Sequence, residues 1–152
     1  MKNKTNIVFV GLGSNRGEKK KNILKSIELL KKYHQKILKI SSFYRTEPYG
    51  CKNQNTFLNA IVKLKTELSP KEFLFICKNI EKVIGRKKSF RWGPREIDLD
   101  ILFFGKKVIK SRILTIPHKD LHNREFVLKP LKEISPGLVH PVLRKRISRI
   151  KS

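Results

Sequence analysis

Two aspartates in one apolar segment are the residues whose type and spacing best suit chemistry in this chain. Asp98 and Asp100 are two positions apart, and a β-strand directs such residues to the same face. The apolar residues around them then take the opposite, core-facing side: Ile97, Leu99 and Ile101. Neighbouring carboxylates repel each other unless a cation lies between them, and proteins hold Mg²⁺ with one or two carboxylates plus phosphate oxygens and water. The pair therefore predicts a magnesium–phosphate site, although an isolated Asp-x-Asp is more often a pair of exposed strand carboxylates.

A basic loop directly before the aspartates makes the phosphate interpretation more specific. The loop contains the run Arg91-Trp-Gly-Pro-Arg95. Arginine binds phosphate oxygens through two parallel N–H groups, so arginines beside a metal-binding pair suit a polyphosphate. Trp92 is the only tryptophan, and its place in a loop leaves two interpretations: it packs down, or it closes over a ligand as part of a lid.

A second pair of residues suits a flat heterocycle. Phe57 and Asn59 share one face of another predicted strand. An aromatic ring stacks on a heterocycle, and an amide hydrogen-bonds its polar edge. The pattern alone occurs more often on an ordinary half-exposed strand surface.

The elements that must position these residues follow from periodicity and turn signals. Strands are predicted over Asn6–Leu12, Ile37–Tyr44, Phe57–Thr66 and Glu96–Phe104, and helices over Glu18–Tyr33, Ser69–Gly85 and Asn123–Leu131. Gly11–Gly17 is predicted as the turn after the first strand. Its G-x-G-x-x-x-G spacing does not fit a dinucleotide fingerprint, and the absence of G-K-[ST] excludes a Walker A loop. From Pro136 onward we expect a helical or irregular basic tail.

The order β-α-β-β-α-β predicts an α+β, ferredoxin-like sandwich, in which an antiparallel sheet has helices packed on one face. The other face is then free to form a site, partly covered by loops. The 152 residues suit a single domain spanning 1–152. No apolar run approaches the roughly 20 residues of a membrane span, and the N-terminal apolar run lacks a cleavage site, so we expect a cytoplasmic protein.

Charge and cysteine content exclude little by themselves. The net charge of +24 favours anionic partners, namely nucleotide phosphates, nucleic acid or an anionic membrane. The lysines are spread along the whole chain, so the charge does not define a site. An RNA-binding module is the main alternative from another class, but the aromatic signature of an RRM is missing. Cys51 and Cys77 lack the spacing of a zinc site or a disulfide framework.

Five motifs, in order along residues 7 to about 141, resemble those of the hydroxymethyldihydropterin pyrophosphokinases. They are Gly11-Leu-Gly-Ser-Asn, Ser42-Phe-Tyr-Arg-Thr-Glu-Pro48, Phe57-Leu-Asn-Ala60, Arg91-Trp-Gly-Pro-Arg-Glu-Ile-Asp-Leu-Asp-Ile-Leu102, and Pro117-His118 with Arg124-Glu-Phe-Val-Leu-Lys-Pro-Leu131. The resemblance implies a ferredoxin-like fold. It also implies transfer of pyrophosphate from ATP to 6-hydroxymethyl-7,8-dihydropterin, with release of AMP, in folate biosynthesis.

The resemblance also implies roles for individual residues. Asp98 and Asp100 would bind two Mg²⁺ ions, and the implied catalytic set is Arg86, Arg91, Arg95, Asp98 and Asp100. Phe57 and Phe126 would sandwich the pterin, and the rest of that pocket would be Thr46, Tyr49 and Asn59. The residues implied at the ATP site are Glu81, Arg86, Arg91, Trp92, Arg95, Ile101, His118 and Arg124. We expect a monomer that binds ATP and the pterin, but neither nucleic acid nor a membrane.

The chain departs from the family pattern at a few positions. The basic loop after Gly85 is one residue shorter than in some members of the family. Lys87 or Lys88 would then occupy the position of the second arginine of that loop. Lysine neutralises phosphate but cannot bind it through two parallel N–H groups. Glu96 adds a third carboxylate with no assigned role. A second alternative is a relative that keeps the fold but has lost the chemistry. The retained pair Asp98 and Asp100 argues against it.

Overall fold

The structure is a computed structural model, and it describes residues 4–47, 55–85, 96–119, 121 and 125–151. Its strands are β1 (Asn6–Ser14), β2 (Lys36–Ile40), β3 (Tyr44–Thr46), β4 (Phe57–Thr66), β5 (Asp98–Phe104), β6 (Ile109–Lys110) and β7 (Thr115–Ile116). Its helices are α1 (Lys19–Lys32), α2 (Pro70–Ile84) and α3 (Glu125–Ile134), with a short 3₁₀ helix at Ile147–Arg149. No helix in these described ranges combines the length and the apolar character that a membrane span requires.

The main sheet is antiparallel, with β1 at its centre. β1 pairs with β4 on one side and with β5 on the other. β2 and β3 both pair with β4, so the strand order is β2-β4-β1-β5 with β3 continuing beyond β2 along the same edge of β4. β6 and β7 form a separate two-stranded hairpin, which periodicity did not predict. The antiparallel sheet with its helices confirms the predicted α+β class.

Helices α1 and α2 pack side by side on one face of the sheet, here called the first face. The strand residues at the centre of this face are apolar and buried. They are Val8, Val10 and Leu12 of β1, Ala60, Val62 and Leu64 of β4, and Ile97, Leu99 and Ile101 beside and within β5. The predicted alternation of β4 and β5 is confirmed. Each fully buried aliphatic side chain contributes roughly 1.5–3 kcal/mol of transfer free energy, so this face is the main source of stability.

Helix α2 has the termini that its sequence predicts. The Ser69 hydroxyl accepts from the Glu72 N–H at 3.2 Å, and the Glu72 carboxylate accepts from the Ser69 N–H at 2.9 Å. Pro70 is the first helical residue, and Gly85 ends the helix with a φ of 101°, in the left-handed region that favours glycine. This reciprocal cap fixes where the helix begins and ends, and so where its buried stripe faces the sheet.

Cys77 lies on the buried face of α2. Burial is the main reason that the pKa of its thiol is raised well above the ordinary value, so the thiol stays protonated and unreactive. Cys51 lies outside the described residues.

Helix α3 packs on the opposite, second face of the sheet. Its Leu128, Leu131 and Ile134 cover an apolar patch from three strands, made by Phe9, Ile61, Leu102 and Phe103, and the C-terminal Ile147 and Ile150 complete this second core. The prediction that helices pack on one face holds for α1 and α2 and is wrong for α3. The reason is that the second face is apolar at this end and needs a cover of its own.

The predicted strand Ile37–Tyr44 is two strands, β2 and β3, because Ser41 interrupts regular pairing. The Ser41 N–H donates to the Ile61 carbonyl at 2.9 Å, while the Ser41 hydroxyl accepts from the Ile61 N–H at 2.8 Å. The side chain thus takes the place of a backbone carbonyl in the ladder, a competition in which serine is effective.

Two further predictions need adjustment at their boundaries. β1 continues through Gly11 and Gly13 to Ser14, so the expected turn begins later than Gly11. Both glycines pair with strands on each side of β1, which keeps this stretch extended. The basic tail forms an isolated bridge between Val139 and Arg146 before its 3₁₀ helix, so it is neither a regular helix nor without structure.

Candidate active site

Antiparallel pairing brings polar residues of three strands into register on the second face. Gly13 of β1 lies directly opposite Asn59 of β4 on one side and Asp98 of β5 on the other. Two residues earlier, Gly11 lies opposite Asp100. Directly opposite residues project to the same face of a sheet, so both aspartates share the face of Asn59. These five residues define the polar half of the second face, which adjoins the apolar half beneath α3.

Gly13 allows the side chains around it to approach the sheet closely. A Cβ placed on Gly13 would lie 2.9 Å from Asn59 Oδ1 and 3.6 Å from Phe57 Cδ1. A Cβ on Gly11 would meet only Leu102, at 3.6 Å and beyond, which is ordinary van der Waals contact. The first glycine of the pair is therefore tolerant, whereas the second leaves room for the amide and the ring that were predicted to hold a heterocycle.

Three of the residues implied for the pterin lie together on β3 and β4: Thr46, Phe57 and Asn59. Thr46 of β3 pairs with Phe57 of β4, and Asn59 Nδ2 donates to Thr46 Oγ1 at 2.7 Å. This bond fixes the orientation of the Asn59 amide. Phe126 is half-buried in the first turn of α3, which packs on the same face of the sheet. Tyr49 lies outside the described residues.

The two aspartates differ in exposure, since Asp98 is half-buried and Asp100 is exposed. The described residues contain no group of three or more side chains suited to hold a metal by themselves. Two same-face carboxylates fit Mg²⁺ that takes its remaining ligands from substrate phosphates and water. The donor set therefore fits a metal that arrives with a nucleotide better than it fits a closed structural site.

Glu96, the third carboxylate of this segment, contacts an arginine. Its Oε1 lies 3.4 Å from Arg16 Nε, and its side chain is 15% exposed. The backbone carbonyl of Glu96 also accepts from Asn22 Nδ2 at 3.1 Å. The first contact ties the segment before β5 to the segment after β1, and the second ties it to α1, so Glu96 has a structural role beside the aspartates.

Asn22 is a residue of this region that sequence patterns did not identify. In addition to Glu96, its amide donates to the Arg16 carbonyl at 3.1 Å and lies 3.5 Å from the Ser14 hydroxyl. One side chain on α1 thereby connects the ends of two strands that carry the site. No short-range spacing signals this role, because the contact with Glu96 crosses 74 positions of the chain.

Glu81 of α2 is buried and belongs to the packing of β5. Its Oε2 accepts from the Leu99 N–H at 2.9 Å, and its Oε1 lies 3.4 Å from Lys78 Nζ. The carboxylate thus satisfies a backbone donor of β5, whose only sheet partner among the described strands is β1. An additional contact with ATP remains a prediction.

Two other residues implied at the ATP site lie within β5 or next to it. The Ile101 side chain is buried in the first-face core, so it projects away from the face of the aspartates. His118 is half-buried, and its backbone N–H donates to the Leu102 carbonyl at 3.0 Å. The remaining implied residues lie outside the described part of the chain, and their roles stay predictions: Arg86, Arg91, Trp92, Arg95 and Arg124, as well as Lys87 and Lys88.

Solved structures with the same fold support the class of the domain. A crystal structure of Plasmodium falciparum HPPK-DHPS, wild type with pteroate, superposes with a TM-score of 0.79 over 99% of this chain at 20% identity. This chain spans 44% of that longer chain. At such low identity the likeness establishes the shared α+β fold.

Sequence comparison then identifies the family. The model of the 7,8-dihydro-6-hydroxymethylpterin-pyrophosphokinase (HPPK) family matches residues 9–136. A 2-amino-4-hydroxy-6-hydroxymethyldihydropteridine pyrophosphokinase of Aquifex aeolicus is 46% identical over 144 residues, 95% of this chain and 89% of that protein. One of Haemophilus influenzae is 44% identical over 136 residues, 88% of this chain and 84% of that protein. The chain belongs to the HPPK family, which confirms the resemblance inferred from its five motifs.

Proposed function

We propose that this protein transfers the β,γ-pyrophosphoryl group of ATP to the hydroxymethyl oxygen of 6-hydroxymethyl-7,8-dihydropterin, in folate biosynthesis. Membership of the HPPK family supports the activity. The single structural observation that carries the assignment of the site is the row across β4, β1 and β5, in which Gly13 separates Asn59 from Asp98. A heterocycle-binding amide and a metal-binding carboxylate are then two strands apart on one face.

The pterin is proposed to bind between Phe57 and Phe126. The Asn59 amide would hydrogen-bond the polar edge of the ring, and its bond to Thr46 Oγ1 holds it in one orientation before the ligand arrives. A preoriented amide loses less conformational freedom on binding, which improves both affinity and selectivity. Backbone near Thr46 and Tyr49 would complete the pocket.

ATP is proposed to bind with its phosphates beside Asp98 and Asp100, which would hold two Mg²⁺ ions. The metal ions would neutralise the phosphate charge and polarise the β-phosphorus. Arg86, Arg91, Arg95 and Arg124, together with His118, would contact the phosphate oxygens, and the lid role of Trp92 belongs to the same proposal. These metal ions and basic side chains suit a transition state whose negative charge spreads over the non-bridging phosphate oxygens.

The proposed step is an in-line displacement. The hydroxymethyl oxygen forms a bond to the β-phosphorus, the bond from that phosphorus to the α,β-bridging oxygen breaks, and AMP leaves with the electron pair. The hydroxyl proton passes to solvent through water. Positioning of the two substrates supplies much of the rate, because the chemistry needs no covalent intermediate with the protein.

The setting of the reaction completes the proposal. The protein acts as a single-domain monomer in the cytoplasm, and its partners are the two substrates rather than nucleic acid or a membrane. Size-exclusion chromatography with light scattering tests the monomer, and a gel shift at physiological salt tests nucleic-acid binding. A dimer in the first experiment, or a shifted band in the second, would contradict these statements.

A product assay tests the activity. Purified protein is incubated with ATP, Mg²⁺ and 6-hydroxymethyl-7,8-dihydropterin, and AMP is separated from ADP. We expect AMP formation that depends on the pterin. ADP as the nucleotide product would show ordinary phosphoryl transfer and refute attack at the β-phosphorus. No product from folded, magnesium-supplied protein would mean that the chain keeps the fold and lacks the chemistry.

A further inference from the structure

Helix α3 is fastened to β3 by one carboxylate that the motifs did not single out. Glu133 Oε1 accepts from the Tyr44 hydroxyl at 2.7 Å, and Glu133 Oε2 accepts from the Ser42 hydroxyl at 2.8 Å. The Ser42 N–H lies 3.0 Å from both carboxylate oxygens. Both oxygens are thus engaged by the segment that leads into β3. Glu133, Tyr44 and Ser42 are here called the clasp.

The clasp connects the two walls of the proposed pterin pocket. Phe126 and Glu133 are seven positions apart on α3, two helical turns, so they lie along the same stripe of the helix. On the sheet, Tyr44 pairs with Asn59 and precedes Thr46 by two positions, on the same face. One end of the stripe therefore holds the sheet, while the other end carries the ring that would cover the pterin.

Apolar packing alone leaves two movements of α3 poorly defined. Leu128, Leu131 and Ile134 fix the depth of the helix against the sheet, but hydrophobic contact is non-directional and specifies rotation and axial position weakly. Hydrogen bonds to a carboxylate have defined directions and are stronger than neutral ones. The clasp supplies the directional contact that the apolar interface lacks.

Two lysines support the same junction. Lys129 Nζ lies 5.6 Å from the centroid of the Tyr44 ring, and Lys39 Nζ lies 3.5 Å from the Ile134 carbonyl at the end of α3. The first is a cation–π arrangement, and the second places a cation at a helix C-terminus. The first contact ties α3 to Tyr44, and the second ties the end of α3 to β2.

We propose that the clasp is a positioning device that sets the gap between Phe126 on α3 and Phe57 on β4, and through it the affinity for the pterin. This inference rests on the proposed function, because it assigns the two rings to the pterin. Tyr44 and Glu133 act through Phe126 and do not touch the substrate. ATP binds beside β5, on the far side of β1 from the clasp, and depends on it little.

The test measures the two substrates separately. Pterin dissociation constants are determined by calorimetry in the presence of a non-hydrolysable ATP analogue, and KM values for both substrates are determined by AMP formation. We expect Tyr44→Phe to weaken pterin binding about fivefold, and Glu133→Ala about tenfold, from the loss of charge-assisted hydrogen bonds. Glu133→Gln keeps an acceptor for the Tyr44 hydroxyl and should fall between wild type and Glu133→Ala. The KM for ATP should stay within about twofold of wild type.

The chain offers matched controls for both changes. Tyr33→Phe removes a tyrosine hydroxyl at the end of α1, against the first-face core, and Glu28→Gln removes an exposed carboxylate paired with Lys31. Neither control should change pterin affinity. The double variant Tyr44→Phe/Glu133→Ala should match Glu133→Ala alone, because two groups in one hydrogen-bonded unit are not additive.

Several outcomes would overturn the inference. Unchanged pterin affinity in Glu133→Ala would show that the clasp does not set the gap. Equal weakening of both substrates, together with a lowered unfolding temperature, would show general destabilisation instead of positioning. If Glu133→Ala does not fold, the milder Tyr44→Phe and Glu133→Gln decide by the same criterion. Failure of wild type to bind the pterin at all would refute the proposed function and is distinguishable from all of these.

Discussion

The two faces of the central sheet are built from the same strands and serve different ends. On the first face, the middle of β1 directs three large apolar residues toward α1 and α2: Val8, Val10 and Leu12. On the second face, β1 places the half-buried Ile7 and the buried Phe9 first and then glycine at 11 and 13. β5 changes in the same way, from the buried Leu102 to Asp100 and Asp98, and β4 places Asn59 next to Ile61 on this face.

The difference shows how one sheet combines stability with a reactive surface. The first face carries a continuous apolar core, so it supplies much of the packing that holds the strands together. The polar half of the second face can therefore carry two neighbouring carboxylates and two glycines, although these residues contribute little packing and the glycines cost backbone entropy. The apolar half of the second face lies beneath α3. This helix both covers that core and carries Phe126 toward the site.

The largest effect should come from removing the aspartates of the polar half. We expect Asp98→Ala and Asp100→Ala each to lower kcat for AMP formation by about 1,000-fold or more, since both metal ions and the phosphates depend on them. Circular dichroism and thermal unfolding should remain close to wild type, because Asp100 is exposed and Asp98 only half-buried. Near-normal rates in both variants would contradict the metal assignment and the functional division of the sheet.

The converse change on the first face should affect stability without affecting chemistry. Leu64 is fully buried near the far end of β4, and Leu64→Ala should lower the free energy of unfolding by about 2–5 kcal/mol. Denaturant titration measures this loss, and kcat per folded molecule should stay near the wild-type value at low temperature. A large loss of kcat in fully folded Leu64→Ala would mean that the first face is coupled to catalysis.

The two glycines of β1 give a sharper contrast within one face. Gly13→Ala would force its new methyl group against Asn59 Oδ1, 2.9 Å away, and should raise the pterin dissociation constant about tenfold by displacing the amide. Gly11→Ala is the matched control, since its methyl group meets only Leu102 at an ordinary distance. Equal pterin affinities in the two variants would refute the proposed role of Asn59.

The smallest effect concerns the pH range in which the clasp holds α3. The hydrogen bond from Tyr44 lowers the pKa of Glu133 below its ordinary 4.5, so the carboxylate stabilises the fold above that pH and ceases to do so as pH falls through the lowered value. The same bond raises the pKa of Tyr44 above 10.0, so the hydroxyl stabilises below pH 10 and ceases to do so as pH rises through the raised value. Lys39 and Lys129 are cations that face this pair.

Unfolding experiments across pH measure this window. The stability difference between wild type and Glu133→Gln should be constant between about pH 5 and pH 9 and should shrink below pH 4.5. The difference between wild type and Tyr44→Phe should shrink above pH 10 instead. Both groups are close to solvent, so screening keeps the differences small. If the stability differences change neither below pH 4.5 nor above pH 10, the charge of Glu133 and the hydroxyl of Tyr44 do not contribute to stability through the clasp.

Sequence patterns predicted the parts of this molecule that local rules control. The alternation of β4 and β5, the shared face of Asp98 and Asp100 and the bounds of α2 all follow from periods of two and 3.6 residues and from local side-chain–backbone bonds. The split at Ser41, the Asn22 junction and the side on which α3 packs did not follow. Each depends on contacts between residues far apart in the chain, such as the 89 positions between Tyr44 and Glu133.

The position of the transferred phosphorus tests the central claim most directly. ATP labelled at the β-phosphorus, and in a parallel reaction at the α-phosphorus, is incubated with the protein, Mg²⁺ and 6-hydroxymethyl-7,8-dihydropterin, and each product is isolated. The account predicts that the β-label moves to the pterin while the α-label stays in AMP. Retention of the β-label in a nucleotide product, with only the γ-phosphoryl group on the pterin, would contradict the account.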